Sequence, residues 1–148
     1  MKKIGFLSFG HWSASRQSAA RSARDVLQQS IELAVAAEEL GADGAYFRVH
    51  HFARQLGSPF PLLAAIGART RTIEIGTAVI DMRYENPLYM AEDAGAADII
   101  AGGACSWASA ADHRSKSSMA GVTSGTRRLM ARAMATWHAV TRRYSWRS

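Results

Sequence analysis

The residues best suited to chemistry in this chain are two adjacent histidines, His50 and His51, which close a short apolar run over residues 45–49. An imidazole gives or takes a proton near neutral pH, so a histidine delivered to the mouth of a fold is a candidate acid–base group. Neighbours on a strand point to opposite faces, so one of the pair is expected to face such a mouth and the other to turn away. The plain alternative is one loop histidine and one satisfied core histidine. No metal site is expected: adjacent histidines on a strand do not converge on one ion, and no cysteine or i+4 histidine supports them.

The surrounding elements explain how the pair would be presented. Residues 3–9 form a mostly apolar run of the kind buried on both faces of a parallel sheet. Ser22 and Asp25 have capping-box spacing, and the apolar residues Val26, Leu27, Ile31, Leu33, Ala34, Ala37 and Leu40 follow at nearly helical intervals until Gly41. Residues 45–49 are the second strand, and Pro59 and Pro61 open a helix over 62–69. Residues 72–80 are rich in β-branched side chains and read as the third strand, and Pro87 begins a third helix ending at Gly102-Gly103. The sum is βαβαβα with crossovers long enough for parallel strands, in which chemistry gathers at the C-terminal strand ends.

Composition divides the chain at Gly103. Residues 1–103 carry a net charge of −1 and residues 104–148 a net of +7, which together give the overall +6. The tail holds three of the four tryptophans, yet Val122, Leu129 and Val140 are its only Val, Leu or Ile residues. It is expected to be disordered, with a weakly amphipathic helix over 129–140 as its one candidate element. Its arginine pairs suggest a nucleic-acid arm only if the tail is genuine sequence, so nucleic acid is not the expected partner. A lone cysteine, no convincing leader and no long apolar run point to a cytoplasmic protein without a membrane segment.

Four stretches together, KIGFLSFGHWS, ELGADGAYFRVHHF, IEIGTAVI and ENPLYMAEDAGAADIIAGG, resemble the flavin-dependent luciferase-like monooxygenases over residues 1–103. The resemblance implies about three βα units from the N-terminal portion of a TIM (β/α)8 barrel, followed by a non-homologous tail. It implies a monooxygenase that takes reduced FMN from a separate flavin reductase and uses O2 on a small organic substrate, with F420-dependent hydride transfer as the alternative. A homodimer of the full-length parent is also implied. His50 matches the histidine that assists reaction of the reduced flavin with oxygen. Val49 stands where the family often has Glu.

By the same resemblance Thr77 and Ala78 lie against the flavin ring, with His51 and Asn86 as further cofactor contacts. Asn86 also suits a helix N-cap. Phe6 and Ser8 are candidates for a substrate pocket, Phe6 equally for the core. His11 and Trp12 could border the pocket.

After Gly-Gly the family normally continues much like RLQLGISRG, whereas this chain reads ACSWASAAD. When each codon is regrouped as the third base of one residue and the first two of the next, Trp107–Ala108 and Met119–Ala120 each force a glycine. The intervening positions permit the family's fourth strand and following loop. Residues 104–148 are therefore expected to be out-of-frame translation after loss of one base near the Gly103 codon. The chain as it stands would then be a truncated and inactive fragment.

Overall fold

A computed structural model describes residues 2–81 and 84–110. The order is β1 (Gly5–Ser8), α1 (Ala23–Glu39), β2 (Gly44–Phe47), α2 (Pro59–Gly67), β3 (Glu74–Asp81), α3 (Pro87–Ile100) and β4 (Cys105–Ala110). The strands form one parallel sheet in the order β1-β2-β3-β4.

Helix α1 starts where the capping spacing predicts. The Ser22 hydroxyl accepts the Asp25 N–H at 3.1 Å, and the Asp25 carboxylate accepts the Ser22 N–H at 3.0 Å. Gly41, at φ +82°, takes the left-handed turn just past the helix end that a side chain would resist. The helix lays Val26, Ser30 and Ala34 on the sheet at four-residue spacing, while Leu27, Leu33 and Leu40 stay exposed.

Helices α1 and α2 cover one sheet face through Val26, Ala34, Leu62, Leu63 and Ile66, packed on Ala45, Phe47 and Ile75. A second cluster joins Val49, Phe60 and Ile80 to Met90 and Ala94 of α3. Helices α2 and α3 approach so closely that a Cβ on Gly67 would collide with Ala101.

By strand alternation the opposite face carries Leu7, Tyr46, Glu74 and Gly76. There the Tyr46 hydroxyl donates to Glu74 Oε1 at 2.6 Å. This bond, with burial and the carboxylate charge, pushes the phenol up to about 12.

The α2–β3 connection is held by one carboxylate. Glu38 Oε1 accepts the N–H groups of Arg71, Thr72 and Ile73 at 2.8, 2.6 and 3.0 Å, and the Thr72 hydroxyl at 3.0 Å. Burial pushes the Glu38 carboxyl up, but the four donors together outweigh it and bring it down to about 2. A folded-state value below the unfolded 4.5 means that this stabilisation is complete above pH 4.5 and is lost as pH falls towards 2. Glu38→Gln is expected to flatten the fall in urea midpoint between pH 5 and pH 2.5 relative to the parent chain; an unchanged slope would contradict this role.

The fourth strand corrects the expectation that ordered pairing stops at Gly103. Residues 105–110 pair in parallel with β3, from Ile75↔Cys105 to Asp81↔Ala110, with a register shift between Ala78 and Ile80. Ladder bonds use main-chain groups, so CSWASA, which lacks proline, can pair despite its weak strand composition. The rest of the expected disorder, from residue 111 on, and the candidate helix over 129–140 lie outside the described residues.

Candidate functional site

All four strands run the same way, so Ser8, Phe47 and Asp81 mark the end at which loops present side chains. Beyond β2, Val49 enters the core at 4% exposure while His50 emerges exposed. The His50 main chain is fixed on both sides: Val49 N–H donates to the Val79 carbonyl at 3.0 Å, and His50 N–H to the Leu56 carbonyl at 2.9 Å. The His50 ring Nδ1 lies 3.2 Å from the carbonyl of His51. A carbonyl oxygen only accepts, so the contact is a hydrogen bond in the form of the ring that carries a proton on Nδ1, and in the neutral ring of that form Nε2 is an acceptor.

His51 turns the other way. Its Nε2 lies 3.3 Å from Glu85 Oε1, and the two side chains are 14% and 13% exposed. The contact lacks the alignment of a full hydrogen bond and leaves His51 Nε2 without one. Burial raises the Glu85 carboxyl, His51 opposes that, and Asp93 adds to it. The His51 ring also packs at 5.2 Å from Tyr84 and 6.2 Å from Phe52, whose rings meet edge-to-face at 5.3 Å.

The remaining sequence candidates separate by strand face. Phe6 packs edge-on against Phe47 at 5.8 Å and flanks the helix-side core, and the Ser8 hydroxyl accepts the Gly10 N–H at 3.2 Å. Both lie on the helix side. The open face at this end instead carries Leu7 and Phe9, with the Arg48 guanidinium 5.5 Å from the Phe9 ring centre.

Thr77 is buried on the side of Ile75, while Ala78 is half-buried and precedes a cis peptide to Val79. Asn86 spends its amide oxygen on the N–H groups of Leu88 and Tyr89, at 3.0 and 3.3 Å, and so caps α3. His11 is exposed, and Trp12 packs against the core under Arg54.

Sequence reasoning missed Phe9, Arg48 and Glu85. Alternation along β1 and β2 would have found the first two. Glu85 had no such signal, because only the folded chain brings it to His51.

The grooves at the other end of the sheet do not compete for this role. One of about 610 Å³ is lined by Lys3, Glu38, Asp43, Glu74 and Cys105, all near the N-terminal strand ends. Another, of about 490 Å³, lies between the ends of α2 and α3. Neither contains a histidine.

Successive parallel βα units in the order β1-β2-β3-β4, with loops presenting side chains at the C-terminal strand ends, are part of a TIM-barrel fold. The chain belongs to the luciferase-like monooxygenase family, whose profile matches residues 7–122 and so crosses Gly103.

The alkanal monooxygenase alpha chain of Photobacterium leiognathi is 37% identical over 75 residues, 49% of this chain and 21% of that one. The FMN complex of the oxygenating component of 3,6-diketocamphane monooxygenase from Pseudomonas putida aligns with a TM-score of 0.63 at 18% identity, covering 91% of this chain and 38% of that one. The F420-dependent tetrahydromethanopterin reductase of Methanopyrus kandleri aligns at 0.56 and 18% identity, over 72% of this chain and 26% of that one. At these identities the structural likenesses speak for the fold alone. The chain spans about a quarter of the length of the curated relatives it matches. Among the described residues no helix is long and apolar enough to cross a membrane.

Proposed function

We propose that the chain carries the proton-handling part of a flavin-dependent monooxygenase that uses reduced FMN, delivered by a separate reductase, and O2 on a small organic substrate. The observation that carries this reading is the exposed His50 imidazole at the strand ends, with Nδ1 3.2 Å from the His51 carbonyl. The surrounding groups fit a flavin. Leu7 and Phe9 offer apolar and aromatic surface, and Arg48 offers a positive charge suited to an anionic reduced ring or a phosphate.

The flavin would supply the electrons and the oxygen chemistry. His50 Nε2 would accept or return a proton, Ala78 would allow close approach of the β3 backbone, and Phe9 would exclude water. Thr77, Asn86 and His51 would support this site from behind. Phe6 and Ser8 would act through packing, away from substrate.

The assay is oxygen uptake by the full chain with photoreduced FMN and a panel of aldehydes and ketones. Uptake above that of free flavin, coupled to oxygenated product, supports the reading. Oxygen-independent reduction with F420 would favour hydride transfer instead.

A second reading is an inactive fragment, and the open sheet favours it. Among the described residues, strands β1 and β4 each have a neighbour on one side only, where a closed barrel has two. With residues 104–148 out of frame, that segment would supply none of the later strands that complete a flavin site. FMN titration is then expected to show no saturable binding at micromolar protein. Stoichiometric retained flavin and a sharp thermal transition would sink this reading. Resequencing across the Gly103 codon decides the frame: recovery of one base followed by RLQLGISRG would identify residues 104–148 as out-of-frame translation.

A further inference from the structure

The turn that presents His50 is not self-supporting. Phe52, two residues on, sits at φ +58° and is 91% exposed, a left-handed conformation that a bulky residue adopts only when its surroundings impose it. The His51 carbonyl lies 3.2 Å from His50 Nδ1, so whatever fixes His51 bears on which ring nitrogen of His50 carries the proton.

The His51 side chain is held by Glu85, at 3.3 Å, and by the Tyr84 ring beside it. Glu85 immediately precedes Asn86, the N-cap of α3, so the carboxylate is anchored to the start of a helix. The pair spans 34 residues of sequence and ties the β2–α2 turn to the β3–α3 loop.

We infer that Glu85 is a positioning residue: by holding the His51 ring it holds the His51 carbonyl, and so keeps the His50 proton on Nδ1 and the Nε2 lone pair available at the strand ends. This rests on the proposed role of His50 in flavin chemistry, but its first readout does not.

The test is long-range nitrogen–proton NMR of the full chain, with His50 assigned through a His50→Gln control. The parent chain is expected to show His50 with its proton on Nδ1. Glu85→Ala is expected to give a mixture of the two tautomers, and Glu85→Asp to restore part of the original population. If Glu85→Ala fails to fold, the near-isosteric Glu85→Gln serves in its place, since it fills the same space without the charge.

In the presence of reduced FMN, the same variant is expected to lower kcat by about 10–100-fold, by analogy with the loss on removing a residue that orients a metal-ligating histidine, with KM little changed. A His50 signal that keeps its Nδ1 proton in a folded Glu85 variant overturns the inference. A tautomer shift without flavin-dependent activity in any form, parent included, retains the positioning role and removes the functional reading instead.

Discussion

His50→Ala is expected to lower flavin-dependent oxygen consumption by about 10²–10⁴-fold, the usual contribution of a positioned acid–base group. It should leave the urea midpoint nearly unchanged. The imidazole is exposed and makes its one described hydrogen bond to a neighbouring carbonyl, so little packing is lost with it. His50→Gln separates the two functions of the ring, since it offers hydrogen bonds without a proton that titrates near neutrality. It should therefore be almost as slow as alanine. If both variants keep parental rates in a preparation that is active, the acid–base group lies elsewhere and the strand-end imidazole is only a surface residue.

Gly10→Ala should have the largest effect on stability of any single methyl addition near the site, about 2–4 kcal/mol from a left-handed backbone penalty combined with overpacking. Gly10 is buried at φ +55°, and a Cβ there would run into the Leu56 side chain. Leu56 is 2% exposed and its carbonyl receives the His50 N–H, so it has little room to retreat without moving the histidine. Urea unfolding measures the loss, and the His50 amide shift should move with it. A variant as stable as the parent would show that the β1 loop can relax away from Leu56.

How much of this was legible beforehand follows from which interactions are local. The capping box at Ser22, the turn at Gly41, the proline that opens α3 and the Asn86 cap depend on residues within four positions of each other, and the chain displays them directly. The histidines at the end of β2 were legible for a similar reason, since a short apolar run and its abrupt polar stop are adjacent. Side-chain facing near the ends of strands was less so. Phe6 and Ser8 were placed by proximity to the strand end, but the register Phe6↔Ala45 and Ser8↔Phe47 puts them on the helix side and leaves Phe9 and Arg48 outside.

Glu85 could not have been found at all without the fold, because its partner is distant in sequence and its neighbours read as a polar loop. The end of the ordered pattern at Gly103 was inferred from composition. Composition describes side chains, whereas β4 is joined to β3 through main-chain groups.

The Tyr46–Glu74 bond has a consequence for traffic in a completed barrel. The phenol and the carboxylate satisfy each other near the N-terminal end of the open face, with Lys3 3.9 Å from the same carboxylate. In a completed barrel, whose interior is filled by packed side chains, this pair would complete its own hydrogen bonds and make no demand on a guest. A ligand would then meet the protein from the opposite end, beside His50, where the loops present their side chains.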